Sequence, residues 1–152
     1  MDIKRGRRVN GFCLEDLTVG QSAEFTRRVL AADLDAFAAV TGDDNPVHLD
    51  QGYAAATAFG GRIAHGMLSA GYISAVIGTR MPGPGAIYVS QSLRFRRPVR
   101  IGDEVTARVE ITAIDEARAR LNIATTCTVG GKVVVDGEAE VMVPRRGGVK
   151  RR

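Results

Sequence analysis

Asp43 and His48 lie five residues apart with Asn45 and Pro46 between them, and His65 is the only other histidine in the chain. A carboxylate and an imidazole held together can take a proton from water and hand one to a carbon at neutral pH. Pro46 has no backbone N–H and pushes Asn45 out of the helical region. Residues 43–48 should therefore form an ordered turn that points both groups into one cleft. Each residue also has a plainer reading, because Asp-Asn-Pro is a good turn former and a single loop histidine is more often structural than catalytic. Further on, His65-Gly66-Met67-Leu68 reads as a helix start. There Gly66 either admits an anionic oxygen to unpaired N–H groups or is a tight packing point, and His65 reads as a structural residue fixing that start, with general acid as the second reading.

Several elements must hold these residues. Residues 22–29 alternate in the manner of a short strand. Asp33 stands where an N-cap belongs, Leu34, Phe37 and Ala38 follow at helical spacing, and Gly42 is the stop, so a helix should deliver the chain to Asp43. Asp50 should cap a short second helix. The helix from His65 to about Thr79 is apolar or small on nearly every side, which predicts a helix buried all round. Residues 86–97, 105–114, 119–129 and 132–143 read as long strands with short connections, and Gly130-Gly131 marks a hairpin. The expected fold is α+β, a long antiparallel sheet curled around one central helix.

Composition narrows the class. The 152 residues are 45% hydrophobic and 25% charged, which fits one globular domain. The net charge of +4 conceals a division, since residues 1–8 carry +3 and residues 144–152 carry +5, leaving −4 on the body. No aromatic residues interleave the terminal arginines, so nucleic-acid binding is not expected. Nor is a membrane span or a secretory leader, which makes the cytoplasm the expected location. Cys13 and Cys127 have no metal-ligand spacing and read as packing residues. With no Gly-rich nucleotide loop either, neither a metal nor a redox cofactor is expected.

The motifs Asp43-x-Asn45-Pro46-x-His48, Leu49-Asp50, Ala58-Phe59 and Ile63-x-His65-Gly66-Met67 stand in order. They are followed by Ile87-Tyr88-x-x-Gln91-Ser92-Leu93-x-Phe95-x-x-Pro98-Val99 and Gly102-Asp103-Glu104. Together they resemble the MaoC-like hydratases, the R-specific enoyl-CoA hydratases of hot-dog fold, over residues 22–144. The resemblance implies a domain over residues 13–144 with basic tails at 1–12 and 145–152. It also implies reversible syn hydration of a trans-2-enoyl-CoA to the (R)-3-hydroxyacyl-CoA, without a cofactor. Asp43 and His48 become the catalytic pair, Gly66 N–H stabilises the enolate oxygen, and Asn45 either orients Asp43 or braces the turn. Ser74 matches a position lining the acyl pocket, and Ile77 lies one turn further along the same helix. Hot-dog proteins usually dimerise, so a homodimer is implied, with a hexamer left open. Arg94, Arg96, Arg97 and Arg100 either guard a strand edge or meet the phosphates of coenzyme A. The alternatives are a 3-hydroxyacyl-carrier-protein dehydratase, a thioesterase, and an acyl-CoA-binding module without turnover.

Overall fold

The structure is a computed structural model that describes residues 10–148; the remaining basic residues, Lys4, Arg5, Arg7, Arg8, Lys150, Arg151 and Arg152, lie outside them. The elements run β1 (Ser22–Arg28), α1 (Ala31–Thr41), α2 (Pro46–Leu49), α3 (Gln51–Ala55) and α4 (Gly66–Thr79), then β2 (Ile87–Gln91), β3 (Arg94–Phe95), β4 (Glu104–Asp115), β5 (Arg120–Val129) and β6 (Lys132–Met142). The strands make one antiparallel sheet in the order β1-β4-β5-β6-β2, with β3 also paired to β6.

Strict alternation along β4 and β5 turns Val105, Val109, Ile111, Leu121, Ile123 and Cys127 inward, all with no exposed surface. They close over Ile73, Val76 and Ile77 of α4 in one core. Burying each such aliphatic side chain stabilises the fold by roughly 1.5–3 kcal/mol. The sheet thereby fixes where α4 begins, and the site lies at that beginning.

Helix α4 is not buried all round. Tyr72, Ile73, Val76 and Ile77 face the core, while Gly71, Ser74, Ala75 and Gly78 face outward and Met67 is 55% exposed. Small residues carry little polarity in either direction, so the sequence gives no sign that one face is open.

Asp33 is not the N-cap of α1. Leu30 occupies that position, and the Asp33 carboxylate reaches back from inside the first turn to accept the Leu30 N–H at 2.8 Å. Gly42 does stop the helix, in the left-handed conformation that favours glycine.

The expected strand over residues 86–97 is two short pieces, β2 and β3. Its register slips between Tyr88 and Ser90, and at Ser92 the chain leans over β6 so closely that a Cβ on Gly137 would meet the Ser92 carbonyl. The ordered contacts also pass both expected domain limits. Gly11 and Phe12 donate backbone hydrogen bonds to Pro84 and Pro82, and Arg145 and Arg146 bond Glu116, Glu15 and Asp16.

Candidate active site

The bend after α1 is built locally. The Thr41 hydroxyl donates to the Phe37 carbonyl at 2.6 Å and accepts the Asp43 N–H at 3.2 Å, and the Asp43 carboxylate accepts the Asn45 N–H at 3.4 Å. Asn45 Oδ1 then accepts the Val47 N–H at 3.2 Å, with Pro46 in the first helical position, where its missing N–H costs nothing. The ordered turn expected from Asp-Asn-Pro is in part helical, and His48 sits on the short helix α2. Of the two roles expected for Asn45, its side chain makes the bracing contact and only its backbone touches Asp43. Asp50 does cap α3, accepting the Tyr53 N–H at 2.9 Å.

This short helix turns the His48 ring inward to 9% exposure. Its Nδ1 lies 2.8 Å from the Ile63 carbonyl, and because a carbonyl only accepts, Nδ1 carries the hydrogen and Nε2 keeps its lone pair free. Arg62 holds the same turn from behind, with Nε donating to the His48 carbonyl at 2.6 Å and Nη2 paired to Asp35 at 3.4 Å.

His65 fixes more than the start of α4. It stands at the N-cap without a side-chain capping bond, and its Nε2 donates instead to the Asp43 backbone carbonyl at 3.0 Å. Its ring is stacked on His48, centroids 3.9 Å apart, and meets Phe37 at 4.6 Å on the α1 side. His65 thus touches both members of the expected pair, and its own Nδ1 is buried with no partner among the described residues.

A carboxylate oxygen of Asp43 and one ring nitrogen each of His48 and His65 lie within 4.8 Å of one another. Three such groups are in principle a metal set. The two rings, however, are stacked with centroids 3.9 Å apart and planes 29° apart, so their lone pairs lie in separate, nearly parallel planes and converge poorly on one ion. A carboxylate beside an imidazole suits proton transfer better than it suits a metal here.

Gly66 begins α4 beside them. Its N–H meets no acceptor among the described residues. A Cβ at this position would fall 2.6 Å from a Phe95 ring carbon, so glycine here both lets Phe95 close down and leaves the N–H approachable. His48, His65 and Gly66 line a cavity of about 540 Å³, and the exposed Asp43 stands beside them outside its lining. The cavity floor is His48, Ala64, His65, Ser69 and Val99, all buried, and its mouth is Phe59, Met67, Phe95, Arg96, Arg97 and Pro98, all exposed.

Asp43 is brought to His48, Asn45 braces the turn between them, and His48 and Gly66 share the cavity, whereas two other expected residues stand apart from all of these. Ser74 lies on the outer face of α4, Ile77 is 2% exposed in the core, and neither lines this cavity. The helix turns both away from it: Ser74 lies two turns beyond Gly66, and the Ile77 side chain is taken up by the sheet. Sequence reasoning missed Phe37, Arg62 and the Ile63 carbonyl. Phe37 showed only as a core position of α1, and the other two give no signal in spacing.

An antiparallel sheet curved over one helix, with an acid–base pair at the start of that helix, defines a hot-dog protein equipped for chemistry on a thioester. Residues 16–133 match the MaoC like domain model, and the chain belongs to that family. It is 56% identical over 133 residues, 88% of this chain and 92% of the other, to an (R)-specific enoyl-CoA hydratase of Rhodospirillum rubrum. It is 53% identical to a 3-hydroxybutyryl-CoA dehydratase of Methylorubrum extorquens, over 87% of this chain and 84% of the other. The unliganded R-hydratase PhaJ1 of Pseudomonas aeruginosa superposes with a TM-score of 0.85 at 50% identity, over 90% of this chain and 88% of that one.

Proposed function

We propose that the protein hydrates trans-2-enoyl-CoA thioesters to (R)-3-hydroxyacyl-CoA and catalyses the reverse dehydration. One observation carries this reading. A ring nitrogen of His48 lies within 4.8 Å of the Asp43 carboxylate, beside a helix start whose Gly66 N–H is unclaimed among the described residues.

In the hydration direction a water bound between Asp43 and His48 attacks C3. Its oxygen forms the new C–O bond, one of its protons passes to His48 Nε2, and the electron pair of the double bond moves toward the thioester as an enolate. Gly66 N–H, at the positive end of α4, receives the charge on the enolate oxygen. His48 then returns the proton to C2 from the same face, which makes the addition syn and restores the site. Asp43 orients the water and stabilises the imidazolium between the two steps. No electron leaves or enters, and no redox cofactor or metal has a part in the sequence.

A homodimer completes the reading. The outer edge strand β1 carries Glu24, Arg27 and Arg28, charges that discourage edge pairing. The other edge strand, β2, exposes Ile87, Tyr88 and Val89 with no charge among them. Two copies joined along β2 would continue the sheet and cover the open face of α4, giving Ser74 a place against a second chain. No helix among the described residues is long and apolar enough to cross a membrane. With both cysteines free, a reducing cytoplasm suits the protein.

The test is loss of the enoyl-thioester absorbance of crotonyl-CoA, with chiral analysis of the product. Formation of (R)-3-hydroxybutyryl-CoA supports the reading. Free thiol release would mark a thioesterase, binding without turnover a ligand-binding module, and strong preference for the crotonyl-carrier-protein a carrier-linked dehydratase.

A further inference from the structure

Four arginines cluster around Pro98, and the structure tells them apart. Arg96 donates from Nε to the Asp136 carboxylate at 3.1 Å, so its charge is matched. Arg100 holds the Phe59 carbonyl and has its backbone tied to Asp103, and neither it nor Arg94 lines the cavity. Arg97 does line it, at the exposed mouth. Its Nη1 donates to the Val133 carbonyl at 2.7 Å, which steadies the guanidinium and leaves its charge uncompensated; no carboxylate among the described residues is paired with it.

We propose that Arg97 is the residue that receives the phosphate end of a coenzyme A thioester, and that it sets the preference for CoA over phosphate-free thioesters. The inference rests on the hydratase reading. If the acyl group lies by His48 on the buried floor, the rest of the ligand must leave through the mouth, past Phe59, Phe95 and Pro98. Those apolar walls suit the pantetheine arm, and the first fixed cation without a carboxylate on the way out is Arg97. A guanidinium has five N–H donors, and the bond to Val133 uses one, so a fork remains for phosphate oxygens.

Crotonyl-pantetheine carries the same reacting group without any phosphate, so the measurement is the ratio of kcat/KM for crotonyl-CoA to that for crotonyl-pantetheine. Arg97→Ala should lower this ratio about tenfold, as loss of a charge-assisted phosphate contact does. The change should appear in KM more than in kcat. Arg97→Lys should recover part of the ratio, and Arg96→Ala should move it less than Arg97→Ala. Added salt should lower the ratio in the unaltered protein more than in Arg97→Ala. An unchanged ratio in Arg97→Ala, or an equal fall in Arg96→Ala, overturns the assignment while leaving the hydratase reading intact. A protein that hydrates neither thioester overturns both.

Discussion

Replacing His65 by phenylalanine separates what this residue does for the fold from what it does for the site. The substitution removes the bond from Nε2 to the Asp43 carbonyl, a net loss of about 0.5–1.5 kcal/mol. It also removes the buried, unpartnered Nδ1, which returns about 1–3 kcal/mol. The larger ring in a site only 2% exposed costs about 1–3 kcal/mol in repacking, although stacking against His48 and Phe37 survives. These terms nearly cancel, so the melting midpoint should move by no more than ~6 °C. Turnover should not be spared. Without its tether the Asp43 backbone can drift, and a displacement near 1 Å at a reacting group lowers kcat about 100-fold. Thermal melts and crotonyl-CoA hydration on the same preparation measure both. If His65→Phe keeps kcat within about threefold while the fold is intact, His65 does not position Asp43.

Gly66→Ala keeps the backbone N–H but drives a methyl into the Phe95 ring, which is half exposed and able to swing aside. Turnover should fall about tenfold, and Gly66→Ala with Phe95→Ala should recover most of it; no recovery would refute a steric cause. Burial pushes the Cys127 thiol from 9.0 up to about 12, and Tyr88 is raised to about 12 by the same cause. Since the folded state holds these protons more tightly, stability is full below about pH 9 and declines as pH rises toward 12. Cys127→Val should make the fall of the melting midpoint shallower above about pH 9, and an unaltered slope would deny Cys127 its share. Val89→Lys puts a charge on the uncharged edge of β2 and should convert a dimer to a monomer in sedimentation; an unchanged mass would place the subunit contact elsewhere.

What the sequence made legible was whatever local chemistry decides. Gly42 ends α1 because a left-handed residue is needed there, Asp50 caps α3, and the alternation from Val105 onward sets the sheet and its hairpin at Gly130-Gly131. Local rules also misled where two were in competition. Asp33 has a cap's chemistry but applies it from inside the helix, and Pro46 reads as a turn former although it opens a helical turn. The open face of α4 was hidden because Gly71, Ala75 and Gly78 have almost no polarity to read. At the site, the motifs placed Asp43, His48 and Gly66 near one another. The stack of Phe37, His65 and His48, the Ile63 carbonyl behind His48, and the Arg62 clamp join residues from separate segments, and no spacing encodes them. Ser74 came by resemblance and Ile77 by helical spacing from it, and a single chain does not bring them to the cavity.

The central claim is that Asp43 and His48 act on one water, and single-turnover hydration of crotonyl-CoA by Asp43→Asn and His48→Ala tests it most directly. Asp43→Asn keeps the oxygen that accepts the Asn45 N–H and should melt close to the unaltered protein, while His48→Ala gives up the bond to the Ile63 carbonyl and the stack on His65 and should melt lower but still fold. Each should lose activity by about 10²–10⁴-fold, the range for a positioned acid or base, and the double variant should be little worse than either single one. Full hydration by either folded variant would contradict the account.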